Sequence, residues 1–216
     1  MNETGSRILA GQPLSVRIRE AEQRDVPAIV AIHMVSFPGF FATMLGPGFL
    51  RAYFRLLLQF DRGILLVAER EGEIVGFVEG FGDPPRYRKA MAAHKWRFGL
   101  YALLAMSRRP FLFWRVFWNA RRVMRAERNE DKSGQGCVEL SGIAVLPHRG
   151  RQGVGTKLVC AFAEMARRQN GVQVYLSTDA RDNNGVNAFY QRLGFRLNRT
   201  RNTPGKRLMN DYVLQL

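Results

Sequence analysis

The sequence predicts a chain of strands and helices of α/β (α+β) class, and three stretches carry that prediction. Residues 138–162, VELSGIAVLPHRGRQGVGTKLVCAF, read as strand, glycine-rich turn and amphipathic helix in unbroken succession. Residues 63–70 and 73–82 read as strands joined by the turn Glu71-Gly72, a hairpin by pattern and spacing. Residues 172–216 add a strand, a polar loop, a short helix and two closing strands around Pro204-Gly205. At 216 residues and 46% hydrophobic composition, the chain is long and apolar enough to bury the core of one domain, 16–216.

In the central unit Glu139, Ser141, Ile143 and Val145 alternate with Leu140, Gly142 and Ala144, which suits a pleated strand with two faces. Pro147 stops it. Gly150, Gly153 and Gly155 then leave backbone with few side chains in the way, and Val154, Leu158, Phe162 and Met165 recur at helical spacing. A helix that opens on such a turn presents unpaired N–H groups and the positive end of its dipole, a seat for a phosphate. Arg149 and Arg151 add charge there. No Gly-Lys-Ser/Thr ends the loop and no GxGxxG runs through it, so it is neither a Walker loop nor a dinucleotide fingerprint. On composition alone, an ordinary strand-to-helix turn packed through its glycines fits equally well.

Upstream, residues 1–15 read as a loose tail without the charged start and apolar run of a signal peptide. Residues 16–20 alternate as a short edge strand. Asp25 is placed to cap a helix with Pro27 in its first turn, and Val26, Ile29, Val30, His33 and Met34 line one side. His33 is read as a packed helix residue. An aromatic loop follows, in which Phe37, Phe40, Phe41 and Met44 either line a pocket or cap the core, and a second helix runs over 49–60. In the hairpin, Ile74, Gly76, Val78 and Gly80 share one face and Val75, Phe77, Glu79 and Phe81 the other. Glu79 among apolar neighbours is either a carboxylate with a raised pKa, useful as a base, or a strand-end residue facing water.

From 84 to 134 the character changes. Two helices are expected, over 86–107 and 110–128, with Pro110 beginning the second. Thirteen basic residues stand here against three acidic ones, a net +10 of the chain's +15. Trp96, Phe98, Leu100, Tyr101, Trp114 and Trp118 lie among the charges, and Arg108-Arg109 interrupt the apolar run, against a spanning helix. Three readings remain open: a helical hairpin packed on the domain or on a second copy of the chain, as in a homodimer; a helix pair lying on an anionic membrane; or a nucleic-acid surface, for which no recognised motif accompanies the charge.

Cys137 and Cys160 both fall in apolar periodic segments and are read as buried free thiols, in keeping with a reducing, cytoplasmic setting. His33, His94 and His148 share no ligand spacing, so no metal site is expected.

The run IAVLPHRGRQGVGTKLV resembles the acyl-CoA-binding segment of the GNAT superfamily of N-acetyltransferases, whose pattern is Gln/Arg-x-x-Gly-x-Gly/Ala after the fourth strand. Arg151-Gln152-Gly153-Val154-Gly155 fit it, while Gly150 occupies the first, Gln/Arg position, which in that family serves largely through its main-chain N–H. A second run supports the first. Asn183, Phe189, Tyr190, Gly194 and Phe195 match the family's Asn-x-x-Ala-x-x-Phe-Tyr-x-x-x-Gly-Phe, with Val186 for the alanine. The resemblance implies a GNAT-like fold, a mixed sheet opened between its fourth and fifth strands. The stretch 84–134 is then a helical insertion between the third and fourth strands, of which the family pattern says nothing.

The resemblance further implies an acetyl-CoA-dependent N-acetyltransferase acting on a primary amine. Its cofactor would lie with the pantetheine arm along Ile143, Ala144 and Val145 and the pyrophosphate on the N–H groups of Arg151, Gln152, Gly153, Val154, Gly155 and Thr156. Tyr190 corresponds to the tyrosine that protonates the leaving thiolate in many relatives, and Asn183 to a residue bonding the cofactor or a neighbouring loop. For the base, Glu139 comes first, 11 residues before Gly150 as in histone-modifying members and on the Ile143/Val145 face if no bulge intervenes. Glu79 comes second and a water chain third. The competing class is a non-catalytic module that keeps the fold and binds an anionic membrane or nucleic acid through the basic insertion, and an enzyme peripheral at the membrane fits the same charges.

Overall fold

The computed structural model describes residues 16–108, 136–147, 153–203 and 207–216. In chain order these form β1 (Arg17–Glu20), α1 (Val26–Ser36), α2 (Phe41–Met44), α3 (Pro47–Gln59), β2 (Gly63–Arg70), β3 (Glu73–Gly82), α4 (Pro84–Ala93), α5 (Lys95–Arg108), β4 (Cys137–Val145), α6 (Val154–Arg168), β5 (Gln173–Asp179), α7 (Asn184–Arg192), β6 (Arg196–Asn202) and β7 (Leu208–Gln215). The tail 1–15, the expected helix over 110–128, the turn residues 148–152 and the Pro204-Gly205 turn lie outside the described residues.

The strands make one seven-stranded sheet in the order β1-β2-β3-β4-β5-β7-β6. Every neighbouring pair is antiparallel except β4 with β5, which is parallel. Glu71 and Gly72 both take positive φ, 52° and 79°, the twist that a two-residue turn needs to close β2 onto β3. On one face α6 lays Leu158, Phe162 and Ala166 over Ile64, Leu66, Val78 and Leu140. On the other, Ile29 of α1 and Leu50, Phe54 and Leu57 of α3 cover Leu65, Val67, Phe77 and Phe81. Such burial, at roughly 25 cal/mol per Å² of apolar surface, is the main source of stability on both faces.

Several local expectations are corrected. Asp25 does not cap α1 with its side chain, because a 3-10 turn, Gln23–Asp25, precedes the helix and puts Asp25 itself in helical conformation. Its carboxylate instead accepts from Glu22 N at 2.7 Å and pairs with Arg19 at 2.6 Å, and Arg19 also holds Glu69 at 2.6 Å, tying β1 to β2. The helix expected over 49–60 begins at Pro47, after Gly46 at φ 89°. The single helix expected over 86–107 breaks at His94 into α4 and α5. A register shift between Ala68 and Glu69 leaves Val75 unmatched, so Ile74 turns to the Phe77 side and Val75 to the Val78 side. Of the two thiols, Cys137 is buried but Cys160 is exposed, since it stands on α6 just off the stripe made by Leu158, Val159 and Phe162.

In the native protein one thiol, Cys160, should react with a maleimide, and Cys137 should react only after unfolding. A Cys160→Ser chain that still labels rapidly would overturn the burial of Cys137 in β4.

Candidate active site

The β4–β5 pairing extends over only three residue pairs, Cys137 with Gln173, Val138 with Val174 and Glu139 with Tyr175. From Leu140 onward β4 runs without β5 beside it, and the sheet opens there. The same strand carries a second irregularity. On its β3 side the register shifts between Glu79 and Gly80, so that Glu79 faces Gly142, Gly80 faces Leu140, and Ser141 has no partner. Glycine at 80 permits this approach: a Cβ there would stand 2.0 Å from Glu139 O and 2.5 Å from the Phe162 ring.

The bulge reverses the expected face of Glu139. Opposite Phe81, it lies with Gly142 and Ala144 on the α1/α3 side, and Ile143 and Val145 pack on the other. Glu79 lies on that same side, so the bulge brings the two candidate carboxylates together. Tyr175 donates to Glu139 Oε2 at 2.5 Å. Glu79 is a buried residue and does not face water. A Cβ at 142 would meet Glu79 Oε1 at 2.8 Å, so Gly142 leaves the room that this carboxylate fills.

Burial pushes Glu79 up from 4.5 to about 8, a hydrogen bond from Tyr53 offsets part of that, and the charge of Glu139 adds to it. Glu79 Oε2 and the Tyr87 hydroxyl are buried without hydrogen-bond partners. Burial also holds the Tyr53 and Tyr87 phenols above their usual range, with Glu79 contributing to both. Tyr87 reaches the site from α4, whose first turn is fixed by Pro84, Pro85 and the bond from Arg86 N to Asp83 Oδ1, and it stacks on Phe81 at 3.8 Å. Sequence reading passed over Tyr53, Tyr87 and Tyr175. Tyr87 alone had a local signal, four residues past Asp83.

His33 is packed as expected, against Phe37, Phe54 and Phe77, and burial lowers it to about 4, so it is neutral. Thr43 fixes the aromatic loop, donating to Phe37 O at 2.8 Å with His33 Nδ1 3.3 Å away. Phe37 is half-buried against the core and Phe40 is exposed. The Arg207 guanidinium lies 5.8 Å from the Phe40 ring centre and pairs with Asp179. The α1–α2 loop thereby meets the β6–β7 connection across one end of the sheet.

Of the turn residues, Arg151 and Gln152 lie outside the described residues. Gly153 takes φ 74°, with nothing within 4 Å of a Cβ placed there, and it begins α6, a helix of 15 residues. Val154 is buried, Thr156 exposed, and a Cβ on Gly155 would rest 3.4 Å from Phe189, so α7 abuts the start of α6. Asn183 bonds a neighbouring loop: its Nδ2 donates to Thr178 Oγ1 at 2.8 Å and to Asp179 O at 3.3 Å. Asn187, not anticipated, is buried and ties Asp179 O to the Tyr212 hydroxyl at 2.9 and 3.0 Å. Tyr190 packs edge-on against Phe189 and Phe195 on the α6 side of the sheet, and burial raises its phenol to about 12. Among the described residues no group of three or more His, Cys, Asp or Glu is arranged to hold a metal ion.

The raised pKa of Glu79 has a sign. Between 4.5 and about 8 the folded protein keeps a proton that the unfolded chain releases, so stability falls as pH rises through that window and the loss is complete above it. Glu79→Gln should therefore gain stability relative to the parent across the same window, by up to about 5 kcal/mol at ~1.4 kcal/mol per pH unit. Urea unfolding at the two ends of the window reads this, and a gain that is flat with pH would contradict it.

The description of a family model, Acetyltransferase (GNAT) family, matches residues 26–195. No curated protein matches the sequence. Among solved structures, a GNAT-family protein of Desulfovibrio desulfuricans superposes with a TM-score of 0.62 at 15% identity, covering 93% of this chain and 99% of its own. The yncA protein of Salmonella typhimurium, solved with its cofactor acetyl-CoA, gives 0.60 at 15% identity over 94% of each chain. The ribosomal-protein-S18-alanine N-acetyltransferase of Escherichia coli gives 0.58 at 15% identity, covering 93% of this chain and 94% of its own. At these identities the structures speak for the fold, a mixed sheet with α4 and α5 inserted between β3 and β4, and the match over 26–195 speaks for descent: the chain belongs to the GNAT family of acetyltransferases.

Proposed function

We propose that a single domain, 16–216, carries out acetyl transfer from acetyl-CoA to a primary amine by direct attack. The observation that carries this reading is the parting of β4 from β5 beside two carboxylates, at the strand end that leads into the glycine-capped start of α6. The residues fit the acyl-CoA ligand. The backbone of Ile143, Ala144 and Val145 has no β5 neighbour and can pair with an extended pantetheine arm. The start of α6, from Gly153 through Val154 and Gly155 to Thr156, offers N–H groups to a pyrophosphate, with Arg151 and Gln152 preceding it.

Bound there, the cofactor supplies an activated thioester. The chain supplies proton handling. Glu139, held by Tyr175 on the α1/α3 face, takes the proton from the attacking amine, with Glu79, facing Gly142, the second candidate for that role. Tyr190 gives its proton to the departing thiolate. Asn183 and Asn187 hold the loop that starts α7 and so aim Tyr190. The aromatic loop at Phe37 and Phe40 and the neighbouring Arg207 border the approach of the acceptor.

Calorimetric titration with acetyl-CoA tests the cofactor. Gly153→Glu should weaken binding by more than about a hundredfold, since a carboxylate on the phosphate seat opposes the helix dipole. No binding by the parent chain would sink the enzyme reading and leave a non-catalytic module. With an amine acceptor in hand, Glu139→Gln and Tyr190→Phe should each lower kcat by about 10²–10⁴-fold, with acetyl-CoA affinity unchanged. A larger loss in Glu79→Gln would transfer the role of base to that residue.

A further inference from the structure

Among the described residues, helix α5 packs on α3 through one side. Phe98 meets Phe49 with ring centres 5.2 Å apart, and the Tyr101 ring lies against Gly48, 3.1 Å from where a Cβ would stand. The opposite side presents Trp96, Leu100, Leu103 and Leu104, which are 69%, 50%, 59% and 47% exposed. Spaced by four, three and one, they fall on a single stripe of the helix. Lys95 and Arg97 flank the stripe and are exposed too. Over α4 and α5 together the chain carries six basic residues, Arg86, Arg88, Lys89, Lys95, Arg97 and Arg108, and no acidic one. Among the described residues no helix is long and apolar enough to cross a membrane.

We propose that the outward face of α5 docks on an anionic lipid bilayer, with Trp96, Leu100, Leu103 and Leu104 entering the headgroup boundary and Lys95 and Arg97 meeting lipid phosphates. The pairing of an apolar centre with a basic border selects this partner. A helix lying in the interface gains from buried apolar area and from attraction to anionic headgroups together. A nucleic acid would answer the charges and leave four large apolar side chains facing phosphate and water. The inference stands on α5 alone and does not depend on the acetyl-transfer reading.

The test is co-sedimentation of the full chain with phosphatidylcholine vesicles and with vesicles of phosphatidylcholine mixed with phosphatidylglycerol. Binding is expected to the mixed vesicles and to fall with salt. Lys95→Glu with Arg97→Glu should weaken it at least about tenfold, and Trp96→Ser with Leu103→Ser should abolish it. All four positions are exposed, so thermal stability should hold. In a Trp114→Phe, Trp118→Phe chain, Trp96 is the only tryptophan, and its emission should shift to the blue on adding mixed vesicles.

Vesicle binding indifferent to these variants, or no binding, would overturn the proposal. So would Trp96 emission already shielded without vesicles, which would mean that the chain itself or a second copy covers the face. Binding to duplex DNA that survives Trp96→Ser with Leu103→Ser, with none to vesicles, would assign the surface to nucleic acid instead.

Discussion

Strand β4 keeps its parallel partner for three residues and then loses it, and the rest of the site depends on that loss. Seven strands in one sheet would ordinarily satisfy every internal edge. Here the central strand keeps its ladder to β3 and gives up the one to β5 from Leu140 onward, and the sheet opens between the two. The unpaired backbone groups need a partner, and an extended, amide-bearing chain laid in the opening would supply one. The bulge at Ser141 acts at the same place from the other side. It turns Glu139 onto the α1/α3 face beside Glu79 and leaves Gly142 as the space that Glu79 occupies.

That arrangement has an energetic cost. A carboxyl group buried with one oxygen unbonded, beside a tyrosine hydroxyl also unbonded, costs about 1–3 kcal/mol for each orphaned group. The surrounding core offsets it: Phe54 and Phe77 are fully buried, and α1 and α3 close over the sheet. Polar atoms held without partners next to an opening in a sheet are the kind of local conflict that persists where a ligand completes them. His33 differs. It is buried and neutral among aromatic rings, with Thr43 beside it, and reads as packing.

Much of this was legible in the sequence, and what was not failed for identifiable reasons. The alternation of β2 and β3 and the glycine-capped start of α6 are local signals, and each falls within a few residues of its expected place. Strand faces were lost wherever a bulge intervened. At Val75 and at Ser141 one extra residue exchanges the two sides, and nothing in the composition of EIVGF or VELSGIAV announces it. Tyr53 and Tyr175 were invisible because their meeting with the two glutamates is set by register and by the packing of α3, contacts across 26 to 36 residues. Cys160 was misjudged because a helical stripe has edges, and one position decides between core and water.

The described residues of the insertion meet the rest of the molecule in two different ways. Through α4 it delivers Tyr87 into the wall beside Glu79 and stacks it on Phe81, so the first turn of the insertion is part of the site's own lining. Through α5 it rests on the beginning of α3, which follows the aromatic loop in the chain. A surface bound by the outer face of α5 would therefore sit one helix away from the approach to the two carboxylates.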